Sequence, residues 1–273
     1  MRRPRLNAPL VLGGGLTGLL VATALVSRVW TPENPTRVRV AQRLKGPLEA
    51  GLLGTDHFGR DLASLLMAGA WNSLAVAVPA VLLGAGIGVL VGAAAAMRRG
   101  LFDELAMRAA DVVFAFPAVL SAILIAALIG GGPAAAILAI ALFNVPVFAR
   151  VTRAAALQAW SLDYVAAARS LGRPPLAIAR SEVLPNIAGG LLVQVTIQLA
   201  LAILAEAGLS YLGLGVRPPD PSWGRMLADA QTYLGQAPRL ALAPGIAIAC
   251  AVLGLNLLGD GLRDALDPTL RGR

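Results

Sequence analysis

Side chains able to carry chemistry are few and widely separated in this sequence. His57 is the only histidine and Cys250 the only cysteine, so the chain builds neither a Cys/His metal cluster nor an internal disulfide. A lone histidine lacks the further soft donors that a nickel site needs, and we interpret His57 as a solvated loop residue. A carboxylate site for a hard cation remains formally open at Asp260, Asp264 and Asp267, whose spacing places them on one helix face.

The sequence carries no recognisable arrangement for covalent catalysis. Lys45 is the only lysine, and its neighbours Leu44 and Gly46 cannot complete the Gly-Lys-Ser/Thr phosphate loop of an ATPase. No serine–histidine pair, pair of catalytic aspartates or His-Glu zinc pattern lies within an apolar segment. We therefore predict that the chain is not an enzyme and holds no cofactor. An intramembrane enzyme, the alternative from another class, is not favoured.

The composition is that of an integral membrane protein. Hydrophobic residues make up 57% of the 273 residues and charged residues only 14%, whereas an average soluble chain is roughly a quarter charged. Too few polar side chains remain to cover a soluble surface. The formal net charge is +8, but the arginines are dispersed among apolar runs and aromatic residues make up only 5%, which argues against nucleic-acid binding.

Six apolar segments are long enough to cross a bilayer as helices, each of which needs about 20 residues. Charge-free runs cover residues 6–27, 62–97, 112–149, 186–205 and 240–259. The 112–149 run contains Gly-Gly-Gly-Pro at residues 130–133, a helix stop followed by a helix start, which divides it into two spans. The first run is longer than the apolar part of a secretory signal and is predicted to be a retained anchor. The predicted fold is an all-α integral membrane protein with six transmembrane helices.

The arginines predict the direction of these helices, because segments on the cytoplasmic side are enriched in Lys and Arg. Most of them lie in the two termini and in the connections that share their side, so both termini are predicted to be cytoplasmic. The expected organisation is an amino-terminal tail and first helix (residues 1–30), an extracytoplasmic segment (31–70) and a core with the other five helices (71–273). Within this core, the loop 150–185 faces the cytoplasm and the loop 209–239 faces outward.

Three residues are expected at the membrane boundaries. We interpret Glu206, which follows the fifth apolar run, as a hydrogen-bonding group at the outer boundary rather than a contact for a solute. Asp111 is predicted to pair with Arg108, three positions earlier on the same helix. Trp223 is expected in the aromatic belt at the outer interface, where it can also contact an extracytoplasmic partner.

The cytoplasmic loop is too long to be a simple connection. A short helix is predicted from about Ser161, Gly172 ends it, and Pro174 and Pro175 open a second helix that leads into the next span. The face of the first helix is small, so the helix could lie flush in a groove of another protein, or equally rest on anionic lipid headgroups. This small face consists of Ala166, Ala167 and Ala168, and it is flanked by Arg169 and Arg173.

Four motifs carry a resemblance to a known family. The segment YVAAARSLG (164–172), followed by LPN (184–186), resembles the cytoplasmic "EAA" loop of bacterial ATP-binding-cassette importer permeases. Three more resemble the dipeptide, oligopeptide and nickel branch of that family: LGTD (53–56) with GRD (59–61); LSYLGLG (209–215) with PP (218–219) and PSWG (221–224); and NLLGDGLRD (256–264) with LDP (266–268). The four motifs occur in the family's order.

The resemblance implies roles for two sets of residues. In the family, the EAA loop docks into a cleft of the ATPase, and the matching residues here are Tyr164, Ala166, Ala167, Ala168, Arg169, Gly172 and Pro185. Residues whose role stays open are Gly54, Thr55, Asp56, Gly59, Arg60, Asp61, Glu206, Trp223, Asn256, Asp260, Arg263 and Asp267. Asp260, Asp264 and Asp267 match the family's terminal signature, and we therefore interpret them as structural rather than as a metal site.

One departure concerns the coupling loop. The family usually has glutamate where this chain has Ala166, so any ion pair that the glutamate makes with the ATPase is absent. Glu182 lies later in the loop, but the sequence gives no geometric ground for calling it a replacement.

The function implied by the resemblance is half of a translocation path in the bacterial inner membrane, working by alternating access and importing di- or oligopeptides. The implied partners are a homologous second permease, two ATPase subunits that bind ATP and magnesium, an extracytoplasmic binding protein and membrane lipid. Nickel or another small solute is the alternative cargo. A membrane assembly protein without transport activity is the alternative of a different class.

Overall fold

The computed structural model describes residues 7–266, and this part of the chain is a bundle of helices with one isolated bridge between Thr55 and Asp61. The helices are α1 (Ala8–Val26), α2 (Leu62–Arg98), α3 (Leu101–Ala115), α4 (Ala118–Ile129), α5 (Pro133–Trp160), α6 (Asp163–Ser170), α7 (Pro175–Ile178), α8 (Leu184–Tyr211), α9 (Trp223–Ala230) and α10 (Arg239–Leu266). A π-helical turn, Ala179–Val183, joins α7 to α8. The predicted all-α class is confirmed.

Five helical segments of the described chain are long and apolar enough to cross a membrane. They are α1, α2, α5, α10 and the continuous stretch Pro175–Tyr211 that ends with α8. A sixth span requires α3 and α4 together, and these two helices meet at an angle of 90°. The third predicted span is therefore a bent pair of helices, and counting it as one gives the six spans that the sequence predicted.

The break between α3 and α4 has a local cause. Phe116 is extended, with φ −90° and ψ 133°, and Pro117 follows it as the N-cap of α4. The ring of a proline disfavours helical geometry in the residue before it, so the helix ends there. The apolar run continues through this point, which is why counting uncharged residues missed the break.

Helix α3 also makes different ion pairs from the one expected. Asp111 pairs with Arg150, whereas Arg108 pairs with Glu104, so the predicted Asp111–Arg108 pair is wrong. Asp103 pairs with Arg153. The two aspartates are about 12 Å apart along α3, but their partners are only about 4.5 Å apart along α5. Two ion pairs therefore join α3 to α5.

Helices α2 and α5 pack with almost no space between their backbones. The glycines Gly84, Gly88 and Gly92 of α2 face α5, and a β-carbon at Gly92 would lie 2.3 Å from the carbonyl oxygen of Ala149. Glycine at every fourth position lines one helix face and lets another backbone approach closely. This contact forms the centre of the bundle.

The two ends of the bundle differ in what they carry. The Asn7 side-chain amide donates to Asp264 at 3.1 Å, and Gly189 of α8 lies against Leu266 of α10. Residues 7 and 266, where the described chain begins and ends, therefore lie at the same end of the bundle as the start of α8 and the 161–183 loop. We call this end of the bundle the terminal end. The segment 28–61, the 130–132 turn and the 212–238 connection lie at the other, called here the distal end.

Candidate functional site

The loop at the terminal end has the helix pattern expected from its sequence. Helix α6 ends at Ser170, Gly172 has a positive φ of +73°, and Pro174 is the N-cap of α7. A left-handed residue is readily supplied by glycine, and the proline that follows cannot continue the preceding helix. The loop thus folds as two short helices joined by a tight elbow.

Only part of the expected small face of α6 is open. Ala166 and Ala167 are exposed, but Ala168 is buried and Val165 completely so, packed in a cluster with Trp160. The expectation that all three alanines form one exposed face is therefore wrong for Ala168. An α-helix turns by 3.6 residues, so three consecutive side chains cannot share a single face.

Larger apolar side chains surround the two open alanines. Leu162 is 45% exposed, Leu176 is 53% exposed and Leu171 is 81% exposed. Tyr164 is also exposed. The tip of the terminal end thus presents a small flat centre with an apolar rim, which we call the loop face.

Three charged residues of this loop contact neighbouring side chains. The guanidinium of Arg169 lies 4.8 Å from the ring centre of Trp160. Arg173 donates to Glu182 at 2.8 Å and to the hydroxyl of Ser181 at 2.9 Å. Glu182 therefore binds a residue of its own loop, which the sequence had left open. Pro185 is exposed near the start of α8.

The LGTD and GRD motif builds the turn that begins α2 at the distal end. Asp56 accepts from the backbone amides of Phe58 and Arg60, each at 2.8 Å, and from the Arg60 side chain at 2.7 Å. Asp61 caps α2 by accepting from the Ser64 amide at 2.8 Å. These carboxylates satisfy donors that would otherwise be left unpaired.

The other residues of this motif serve the same turn. Thr55 accepts from the Lys45 amide at 3.0 Å. Gly54 and Gly59 have positive φ angles, and a β-carbon at Gly59 would lie 1.9 Å from the carbonyl oxygen of Arg39. The motif thus folds the segment 28–61 back onto the start of α2.

His57, within this motif, is half-buried rather than solvated as expected. Its ring stacks on Tyr233 with centres 5.1 Å apart, and Arg43 donates to the Tyr233 hydroxyl at 3.1 Å. Burial lowers the pKa of His57, although Asp56 and Asp229 oppose this change. The contact between His57 and Tyr233 joins the segment 28–61 to the 212–238 connection.

Glu206 lies near the distal end of α8 and is completely buried. It accepts a hydrogen bond of 2.6 Å from Ser210, whose hydroxyl in turn accepts from the amide of Val216 at 3.0 Å. Trp223 is also buried, and its indole donates to the Leu66 carbonyl at 3.0 Å. The expectation of Trp223 in an aromatic belt is therefore wrong, because its polar edge is satisfied inside the protein.

The carboxyl-terminal motif is spread over exposed positions of α10. Asn256, Asp260 and Arg263 are exposed, and Asp264 accepts from Asn7. Asp267 lies outside the described residues. No group of three or more His, Cys, Asp or Glu side chains able to hold a metal ion occurs between residues 7 and 266.

A cavity of about 390 Å³ lies among α4, α5 and α8, with Phe114 of α3 also in its wall. Its wall is mostly apolar, and two carboxamides, Asn144 and Gln198, stand near the middle of α5 and α8. The Oδ1 atom of Asn144 is buried without a hydrogen-bond partner. The cavity is apolar with a few placed polar groups, as small-molecule sites are.

Comparison with known proteins places these features in one family. Residues 84–272 match the family described as "Binding-protein-dependent transport system inner membrane component". The "Glutathione transport system permease protein GsiD" of Pectobacterium atrosepticum is 40% identical over 262 residues, covering 96% of this chain and 87% of the relative. The protein of the same name from Escherichia coli O1:K1 is 41% identical over 255 residues, covering 93% and 84%.

Among solved structures, the fold is similar to a chain described in "Inward facing conformations of the MetNI methionine ABC transporter". The TM-score is 0.63 with 21% identity, and the match covers 74% of this chain and 97% of the other. This likeness concerns the fold.

Proposed function

The chain belongs to the family of binding-protein-dependent transport system inner membrane components and is a permease subunit of an ATP-binding-cassette importer, and we propose that it carries peptides through the 390 Å³ cavity. The family works with a second permease, ATPases and a binding protein in general. For this chain we propose a homologous second permease, two ATPase subunits that bind ATP and magnesium, and one extracytoplasmic binding protein.

The loop face is the observation that supports the proposed contact with an ATPase subunit. It lies at the tip of the terminal end, where two open alanines are framed by exposed leucines and a tyrosine. An exposed apolar patch at a chain's extremity is typical of a protein contact. We assign the cleft of an ATPase subunit to this face, and the closure of the ATPases would then displace α6 and α8.

The arginines support an inward orientation for the terminal end. Five arginines belong to connections or helix ends on this side: Arg98, Arg150, Arg153, Arg169 and Arg180. Cytoplasmic connections are enriched in Arg and Lys. We therefore propose that both termini and the loop face lie in the cytoplasm, and that the distal end faces outward.

The relatives and the cavity support a peptide cargo. The relatives reported above are named for glutathione transport, and glutathione is a peptide. The carboxamides of Asn144 and Gln198 can exchange hydrogen bonds with peptide groups. Nickel is less favoured, because the described chain offers no cluster of metal-binding side chains.

A single substitution at the loop face tests the docking role. Ala167→Arg introduces a long charged side chain that a protein cleft cannot bury without loss of hydration. On a lipid surface the same arginine would be favoured by about 1 kcal/mol. We expect the variant to insert normally but to lose most ATP-driven uptake in proteoliposomes containing the whole importer.

The matched control is Ala167→Ser, which stays small and is expected to transport normally. A single cysteine at Ala167, with Cys250 replaced by serine, should also cross-link to a cysteine in the ATPase cleft. Normal uptake by the arginine variant, together with no cross-link along residues 164–172, would refute docking and favour a helix resting on lipid.

A further inference from the structure

Residues 212–222, called here the distal loop, are fastened to three separate elements. The amide of Val216 donates to Ser210 of α8 at 3.0 Å, and Asn72 of α2 donates to the Pro221 carbonyl at 2.7 Å. The amide of Gly132, before α5, donates to the Leu214 carbonyl at 3.0 Å. The loop is therefore part of the bundle rather than a free connection.

A buried polar centre underlies these contacts. Glu206, Ser210, Ser73 and Ser222 are each completely buried. Ser210 donates to the Glu206 carboxylate at 2.6 Å, and the same hydroxyl accepts from the Val216 amide of the distal loop. Glu206 therefore orients the hydroxyl that holds the loop. The second carboxylate oxygen of Glu206 and the hydroxyl of Ser73 are buried without a hydrogen-bond partner.

Close backbone contacts prevent the distal loop from sliding on α8. A β-carbon at Gly215 would lie 2.2 Å from the hydroxyl oxygen of Ser210, and one at Gly224 would lie 2.0 Å from the carbonyl oxygen of Ala207. Only glycine permits such approaches. The glycines of the family motif LSYLGLG with PSWG therefore hold the distal loop and the start of α9 against α8.

The opposite end of the same helical stretch leads, through the elbow at residues 171–174, to α6, which carries most of the loop face. The helical stretch Pro175–Tyr211 contains 37 residues, which corresponds to a length of about 55 Å. It exceeds the roughly 40–45 Å of a bilayer with its headgroups. The long helices α2, α5 and α10 contain the interior prolines Pro79, Pro146 and Pro244, whereas α8 has only Pro185 in its first turn. Beyond its first turn α8 contains no proline, so a displacement at its distal end can be passed along the helix to the π-helical turn Ala179–Val183.

We propose that Glu206 is a positioning residue that fixes the distal loop to α8, so that a binding protein touching this loop is sensed at the loop face 37 residues of helix away. The tip of the loop is suited to such a contact, because residues 217–220 are exposed while the flanking residues on both sides are buried. The inference rests on the proposed function, since it needs an importer with a binding protein.

The experiment uses the complete importer in proteoliposomes and measures ATP hydrolysis with and without solute-loaded binding protein. Glu206→Leu fills a similar volume with apolar atoms, so folding is expected to be kept while the Ser210 hydroxyl loses its acceptor. We expect basal hydrolysis to stay within about twofold of wild type and the maximal stimulation to fall about fivefold or more. Hydrogen exchange should rise in residues 212–222 and not in α5.

Two further variants complete the design. Leu204→Ala changes an exposed position on the same helix and should leave the stimulation unchanged. Glu206→Gln keeps one acceptor oxygen and should lose less stimulation than the leucine variant; if the leucine variant does not assemble, the glutamine variant decides by the same criterion.

The outcomes separate the two proposals. Wild-type importer that is not stimulated by any loaded binding protein contradicts the proposed function itself. Stimulated wild type together with equally stimulated Glu206 variants overturns the positioning role and leaves transport intact. Basal and stimulated rates that fall in parallel also overturn it, because they indicate a loss of assembled protein only.

Discussion

Replacing Gly88 by alanine should push α2 and α5 apart. The new β-carbon would lie 2.5 Å from the carbonyl oxygen of Val145 and 2.6 Å from the β-carbon of Phe148. Ordinary contact begins at about 3.4 Å, so the backbones must separate by about 0.9 Å. Overpacking of this kind costs about 1–3 kcal/mol.

The chain supplies a matched control two residues earlier. Gly86 is exposed on the same helix, and a β-carbon there meets nothing within 4 Å. Both substitutions gain the same helix propensity of about 1 kcal/mol, so the difference between the two variants isolates the packing contact. We expect Gly88→Ala to be less stable than Gly86→Ala by about 1–3 kcal/mol.

Unfolding of the purified protein in mixed micelles, followed by circular dichroism as the proportion of SDS rises, measures this difference. Equal midpoints for the two variants would refute the packing argument, since the glycine face would then have no steric role. A lower midpoint for Gly86→Ala would refute it equally, because only the control position has free space.

Two further predictions concern the two ends of the bundle. Arg173→Gln should reduce uptake per ATP hydrolysed, because Glu182 and Ser181 lose their hydrogen bonds from the Arg173 guanidinium, whereas Arg180→Gln, at an exposed neighbouring position, should not. Equal coupling ratios in transport assays would contradict this. Burial lowers the pKa of His57, so the native state binds fewer protons than the unfolded state. The stability that neutral His57 contributes is full above pH 6.5 and is lost as pH falls through the lowered pKa. Thermal unfolding should therefore show a loss of stability below pH 6.5 that His57→Gln lacks, and identical pH profiles would exclude the effect.

The sequence was most informative where the decisive interactions are local. Apolar runs identified five spans because a helix in lipid must be apolar along its own length. Gly172 and Pro174 defined the loop elbow because backbone preferences act within one or two residues. Pro117 marks the break before α4 in the same local way, because a proline disfavours helical geometry in the residue that precedes it.

Contacts between distant parts of the chain were not predictable. Nothing in a single sequence places Ser73 beside Glu206, and nothing places the Trp223 indole against the Leu66 carbonyl. An exposed and a buried tryptophan look alike when only their neighbours in sequence are known. The family motif marked the correct segment, but its physical purpose became visible only once α2, α8 and the distal loop were seen together.

The elbow between α3 and α4 has a consequence for the making of this protein. Helix α4 has 12 residues and is about 18 Å long, well short of the roughly 30 Å of hydrocarbon. Phe116 and Pro117 are exposed at the elbow of the single chain, and irregular backbone at membrane depth is stable only where protein or water covers it. In the proposed importer the second permease covers this elbow, so a subunit made in excess would leave the elbow exposed to lipid, and the two permeases would have to be produced in balance.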